Sequence, residues 1–479
     1  MSTIGATDLL LPPRLAGAAV PATRARYGVL TFLCWLFFVL YVDRVCIGKA
    51  APHIKAELGL TDTEMGFVFG AFTLAYGLFE VPTGRWGDRY GSRGVLTRIV
   101  LWWSAFTALT GCVWQFTVDS SYQVLGVPLL FNGFMLLLLV RFLFGAGEAG
   151  ALPNAARVVA RWFPPGKRGP AQGLLNTSAL VGGAVAPVAA AYIIEVYGWR
   201  AAFFLFGGLG VIWAGAFYCW FRDDPGQHPA VNEAERQLIT AEGVAGPGGH
   251  AHPPVPWGLV LRSANVWLLG GVITCSAFVS YIYFTWYPTY LEQARKVDPL
   301  LSGWLSGMVL AGGALGCTLG GFLADWIVRR TGSRRWGRRA VGCGALGSAA
   351  LWLGLGVQCD SAVVASVCTA LASMSAMLAQ ASWWSSVTDI SGRHLGALFG
   401  LMNSLGVPGA IAGPLFFGFF ADRMKELGYE GRAQWDPGFY VYCGVLLLGA
   451  IGWLFIDTSK SVVEPEGPAT ETAITASRS

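Results

Sequence analysis

The chain has 479 residues, of which 54% are hydrophobic and only 13% charged, against roughly 25% charged in an ordinary soluble protein. With a mean hydropathy of +0.52, 64 Gly and 20 Trp, this composition excludes a soluble globular protein. It fits a polytopic membrane protein, in which Gly lets helices approach closely and Trp anchors their ends at the interface. The net charge of +5 is small and its placement matters more than its size. The ten Cys lie in apolar segments without CxxC or Cys/His spacing, so neither a disulfide nor a metal framework is expected.

Residues 1–26 read as an N-terminal tail in which an Arg pair stands close to the first apolar run and no convincing cleavage site follows, so no signal peptide is expected. A helix needs about 20 apolar residues to cross a bilayer, and on that ruler the chain holds about twelve spans. The first six lie at roughly 27–49, 63–83, 94–116, 129–150, 168–195 and 199–221; the second six at roughly 263–291, 300–325, 338–357, 361–385, 394–421 and 438–457. Between them, residues 222–262 form the longest polar segment. The expected organisation is therefore a six-helix bundle over 27–221, a linker over 222–262, a second bundle over 263–458 and a tail over 459–479.

Lys and Arg in the short loops orient such a protein. Arg24 and Arg26 precede span one, Arg85, Arg89 and Arg93 follow span two, Arg161, Lys167 and Arg168 follow span four, and Arg329, Arg330, Arg334, Arg335, Arg338 and Arg339 crowd the connection after span eight. All fall on one side if both termini are cytoplasmic. The loop with Arg423, Lys425 and Arg432 breaks the pattern, although Asp422, Glu426, Glu430 and Asp436 accompany it. The loops after spans two and eight also repeat one another: GRWGDRYGSR at 84–93 and GGFLADWIVRRTGSRR at 320–335. Asp88 and Asp325 can cap helix ends and pair with nearby Arg, as can Arg89 with acids, and such contacts can hold one global state and so gate access. Two copies in register also indicate that the second bundle repeats the first. Chain length, apolar spans and this repeat resemble the major facilitator superfamily from about Tyr27 to Asp457. The resemblance implies two pseudo-symmetric six-helix bundles that rock about a central site.

Charges inside the spans carry the chemistry. A charge at mid-membrane costs about 2.5–3.5 kcal/mol, so each requires a partner or a task. Asp43 and Arg44 sit together in span one; Arg141 and Glu148 sit in span four, seven residues apart and hence on one helix face. Gly145, Gly147 and Gly150 let a neighbouring helix come close to that face. Structural ion pairs between spans one and four account for part of this arrangement. A guanidinium also offers a charged planar fork that suits a carboxylate, and a buried carboxylate suits proton carriage, so Arg44 or Arg141 can bind an organic anion while Asp43 or Glu148 carries a proton.

YVDR at 41–44 and RFLFGAGEAGALPNAARVVARWFP from Arg141 narrow the resemblance to the anion:cation symporter family. That likeness implies substrate and proton roles for Tyr41, Asp43, Arg44, Arg141 and Glu148, and a substrate role for Tyr76. From YIYFTWYPTYLEQ, SWWSSVTD and GLMNSLG it also implies cavity positions for Tyr281, Thr285, Trp384 and Asn403. Glu80 stands where the resemblance leads one to expect a neutral polar residue; it is open between a third titrating group, a partner for Arg98 and a solvated edge residue. The implied activity is proton-coupled import of a small organic anion, such as a sugar acid. The expected partners are that anion, protons and the lipid bilayer of a cell membrane, with no nucleic acid, no cofactor, no metal and no enzymatic activity, in a chain that works as a monomer. Anion exchange, drug:proton antiport and nutrient sensing without transport remain alternatives. LVGGAVAPVAAA at 180–191 lacks the glycine–proline pattern of drug antiporters, and the tails and linker are short for a signalling domain.

Overall fold

The computed structural model describes residues 21–124, 127–240, 256–391 and 395–457. Their order is α1 (Ala25–Leu58), α2 (Asp62–Tyr90), α3 (Ser92–Thr110), β1 (Thr117–Val124), β2 (Val127–Asn132), α4 (Gly133–Glu148), α5 (Ala151–Trp162), α6 (Pro165–Tyr197) and α7 (Trp199–Trp220), then α8 (Glu233–Thr240) and α9 (Trp257–Arg262). The second half runs α10 (Ala264–Thr285), α11 (Tyr287–Gln293), α12 (Pro299–Thr331), α13 (Arg334–Gln358), α14 (Ala362–Ser391), α15 (Leu395–Glu426) and α16 (Arg432–Phe455). Counting α4 with α5 and α10 with α11, twelve long helical stretches emerge among the described residues. Ten are long and apolar enough to span a bilayer. The other two, α2 and α3, carry Glu80, Arg89, Arg93 and Arg98 within their length. The chain is an all-α multi-pass membrane protein.

Helix boundaries follow local chemistry. Thr61 and Glu64 close a reciprocal capping box at the start of α2. Gly59, at φ 64°, ends α1 in the left-handed region that a side chain would resist. Asp298 caps α12 by accepting from Leu300 and Leu301 N–H, with Pro299 in the first turn where its missing donor costs nothing. Two sequence expectations are corrected here. Span four does not begin near 129, because residues 127–132 pair antiparallel with residues 117–124 and the helix starts at Gly133, capped by the Asn132 side chain. Span seven is not continuous: the chain breaks at Trp286, just before Pro288, whose missing N–H disrupts the helical ladder.

Within each half, α1 packs on α6, α2 on α4 and α3 on α7; α10 packs on α15, α12 on α14 and α13 on α16. The halves meet where α2 lies against α15 and α6 against α12. Outward-facing Leu205, Ile212, Phe322, Leu448 and Phe455 are more than half exposed, as befits side chains whose solvent is lipid. The linker is more than a loop. Glu235 of α8 is fully buried and accepts from Thr23 Oγ1 at 2.6 Å, from the Ala25 N–H at 3.1 Å and from Arg26 Nη1 at 3.0 Å, so the linker caps the first helix. His228 packs edge-on against Trp162 and Trp220 and is 3% exposed, whereas His250 and His252 lie outside the described residues.

Candidate functional site

Span one delivers its two charges to different environments. Arg44 reaches Glu148 of α4, forming an ion pair through Nη2 and donating from Nε to the same Oε1 at 3.1 Å. Its guanidinium also lies 5.2 Å from the ring centre of Tyr41, 5.1 Å from that of Phe72 and 5.1 Å from that of Tyr76, so aromatic faces take the charge that lipid could not. Asp43, one residue earlier, lies about 100° further round the helix. It is 1% exposed, neither carboxylate oxygen makes a hydrogen bond among the described residues, and Arg141, Glu148 and Trp103 lie within interaction range.

Arg141 and Glu148 are both buried on one face of α4, as their spacing requires. Arg141 stacks on Phe144 at 4.2 Å and faces Phe72 at 5.5 Å, yet its Nε and Nη1 have no hydrogen-bond partner among the described residues. The glycines of this segment bring the neighbouring helices up to it. A Cβ on Gly145 would collide with the Phe72 carbonyl of α2, one on Gly147 with the Trp102 ring of α3, and one on Gly150 would fall 2.8 Å from Thr83 Cβ and from Ile99 Cδ1. Gly48 does the same between halves, admitting the Phe284 carbonyl of α10 one turn beyond Arg44.

These side chains border a central cavity of about 300 Å³ between the halves. The first half lines it with Tyr41, Arg44, Phe72, Thr73, Tyr76, Arg141 and Asn176; the second with Ser276, Ser280, Tyr281, Thr285, Gln380, Trp383, Trp384 and Asn403. All eight residues expected to meet substrate, Tyr41, Arg44, Tyr76, Arg141, Tyr281, Thr285, Trp384 and Asn403, border this one space. Asp43 and Glu148 sit behind it, Glu148 through its pair with Arg44. Thr285 spends its hydroxyl on the Tyr281 carbonyl at 2.7 Å. Glu80 is not paired with the exposed Arg98; its Oε2 accepts from Asn403 Nδ2 at 2.9 Å. Arg89 is exposed and stacks on Tyr90, while the side chains of Asp88 and Asp325 lie outside the described residues.

Contacts between halves gather at the end of the cavity opposite the linker. Asp422, near the C-terminal end of α15, accepts from Asp62 N–H at 3.1 Å and from Thr63 N–H and Oγ1 at 2.6 Å, capping α2 with a carboxylate. Lys49 of α1, fully buried, pairs with Glu292 of α11 and donates to the Pro299 carbonyl at 2.6 Å. Backbones close in as well: a Cβ on Gly307 would meet the Ala184 carbonyl at 2.6 Å, and one on Gly66 the Pro414 carbonyl at 3.1 Å. Lys49 and Glu292 were not singled out in the sequence, although a Lys within an apolar span carries the same insertion cost that drew attention to Arg44. Arg432 and Arg423, the exceptions to the charge pattern, each have acids beside them, Asp360 and Asp436 for the first and Glu426 for the second.

The model of the Major Facilitator Superfamily matches residues 33–414. The chain belongs to the major facilitator superfamily. The probable sulfoacetate transporter of Cupriavidus necator is 33% identical over 458 residues, covering 94% of this chain and 97% of that relative. The probable galactarate/D-glucarate transporter of Escherichia coli is 31% identical over 66% of the chain and 70% of the relative. The hexuronate transporter of Bacillus subtilis is 27% identical over 84% of this chain and 89% of the relative. Among solved structures, a bacterial homologue of the human lysosomal transporter Spinster superposes with a TM-score of 0.71 at 19% identity, covering 90% of this chain and 96% of that one. The D-xylose–proton symporter gives 0.67 at 12%, covering 91% and 98%. The major facilitator fold is thus shared, and the chain is a membrane transporter of this superfamily, not an enzyme.

Proposed function

We propose that the chain imports a small organic anion, a sugar acid or another carboxylate, by proton symport across a cell membrane, with both termini cytoplasmic. The observation that carries this reading is Arg141: buried at 1% exposure, bordering the cavity, with Nε and Nη1 unmatched beside an Arg44 already held by Glu148. A guanidinium that is always charged and has spare donors in a low-dielectric cavity is an anion receptor. The names of the relatives, carriers of anions and sugar acids, support the same substrate class.

Coupling follows from the partner exchange this arrangement permits. When a substrate carboxylate takes Arg44, Glu148 loses its counter-ion in a site where an unpaired charge costs several kcal/mol. A proton on Glu148 removes that cost, so substrate and proton are bound together. With the cell interior negative, moving one negative charge inward costs about 2.3 kcal/mol per 100 mV. One proton per monovalent anion cancels that cost, and a second, on Asp43, would let the voltage drive uptake. Closure by Asp422 and by the Lys49–Glu292 pair then makes the far end the extracytoplasmic gate. The test is uptake by proteoliposomes over a panel of sugar acids and other carboxylates, with and without an inward proton gradient. Acid outside should accelerate uptake of at least one carboxylate; uptake of every bound carboxylate at a gradient-independent rate contradicts symport.

A further inference from the structure

Glu80 is an acid in the interior of α2 that neither the Arg44 pair nor the far-end closure uses. It is half-buried, one helical turn beyond Tyr76, and its hydrogen bond to Asn403 crosses from the first half to the second at 2.9 Å. The two helices pack tightly here, since a Cβ on Gly77 would fall 2.9 Å from the Val407 side-chain Cγ2. Asn403 borders the cavity and Glu80 stands behind it. A carboxylate accepts and cannot donate, so the Asn403 amide turns its NH2 to Glu80 and has its carbonyl Oδ1 left to offer the cavity.

We infer that Glu80 is a positioning residue for substrate selection: by holding Asn403 through its NH2, it sets a hydrogen-bond acceptor on the cavity wall that favours a substrate hydroxyl over a second carboxylate at that point. This rests on the organic-anion reading above and narrows it to hydroxylated monoacids. A hydroxyl donates to Oδ1. A second carboxylate would face that oxygen with no proton between them and would also meet the nearby charge of Glu80, leaving desolvated acceptors unsatisfied. Sites built around a hydrogen-bonded hydroxyl reject analogues without it strongly. A Gln at position 80 would remove the charge and free the Asn403 amide to turn its NH2 inward.

D-gluconate and D-glucarate share a six-carbon hydroxylated chain and differ in having a hydroxymethyl or a second carboxylate at the far carbon, so they make a matched pair. In proteoliposomes, the wild-type ratio of kcat/KM for gluconate over glucarate is expected to be about tenfold or more, and Glu80→Gln to lower it by about tenfold, chiefly through KM. In an Asn403→Ala background, Glu80→Gln should leave the ratio unchanged, because the two act as one unit. Should Glu80→Gln yield no folded protein, Asn403→Ala alone must collapse the ratio. The inference is overturned if wild type takes glucarate as readily as gluconate, if Glu80→Gln lowers kcat for both with the ratio intact, or if its effect persists without Asn403. If neither sugar acid moves while another carboxylate is carried in an Arg44-dependent way, the inference fails and the organic-anion reading stands. If no carboxylate uptake depends on Arg44, that reading fails and takes the inference with it.

Discussion

The two walls of the central cavity are built from different chemistry. The first half carries the charge: Arg44 and Arg141 on the wall, with Asp43 and Glu148 directly behind. Among the described residues the second half is neutral where it borders the cavity, with the aromatic rings of Tyr281, Trp383 and Trp384 beside the polar Ser276, Gln380 and Asn403. Under the proposed reading, such a division assigns anion binding and proton carriage to the first wall and substrate shape to the second. It also places the charge on helices α1 and α4, whose glycines draw in α2, α3 and α10 to shield it from lipid.

Substitutions on the two walls should therefore fail differently. Arg44→Ala is expected to have the largest effect, a loss of anion uptake of about a hundredfold or more, because it removes one of the two cavity guanidiniums and strands Glu148 as a buried charge, a loss of roughly 3 kcal/mol. Radiolabelled uptake of a carried carboxylate measures it, and residual uptake within tenfold of wild type would break the assignment of charge to the first half. Trp384→Ala, on the second wall, is expected to raise KM by about tenfold with proton dependence preserved, the scale of one aromatic contact at roughly 0.5–1.5 kcal/mol. Loss of proton dependence in that variant would show that the halves do not divide the work.

The smallest expected effect lies at the linker, away from both walls. Burial between aromatic rings, helped by nearby Arg222, pushes the His228 imidazole below its ordinary value. Above pH ~6.5 both folded and unfolded states are neutral there. As pH falls through that value the unfolded chain takes up a proton that the folded one resists, so folded stability drops toward acid. His228→Phe should remove that part of the slope, flattening the fall in melting temperature between pH 7 and pH 5 by roughly 2 °C. An identical pH profile in the variant would mean that the imidazole does not titrate across this range.

What the sequence made legible follows cost. Asp43, Arg44, Arg141 and Glu148 stand out because a charge in an apolar run is expensive, and the spacing of Arg141 and Glu148 sets them on one face before any coordinates are known. Thr73, Asn176, Ser276 and Gln380 border the same cavity but are cheap in a helix, where a hydroxyl or amide can bond to its own backbone, and nothing in their pattern marks them. The Lys49–Glu292 pair joins residues 243 positions apart, a distance at which no periodicity speaks. The strand at 127–132 is not legible because VPLLFN continues the apolar run of span four, and a short apolar run reads equally as strand or helix. Glu80 was noticed as a departure, but its partner Asn403 lies in the other half, where only the packing of α2 on α15 brings it near.

The measurement that tests the division most directly compares two kinds of transport by Glu148→Gln in the same proteoliposomes. Counterflow needs only substrate binding and alternation between states, whereas accumulation under an inward proton gradient needs the coupled proton. Wild type should perform both. Glu148→Gln should retain counterflow and lose gradient-driven accumulation, since an amide can neither pair with Arg44 as an ion nor carry a proton across. Accumulation against a gradient at the wild-type level in that variant would contradict the account.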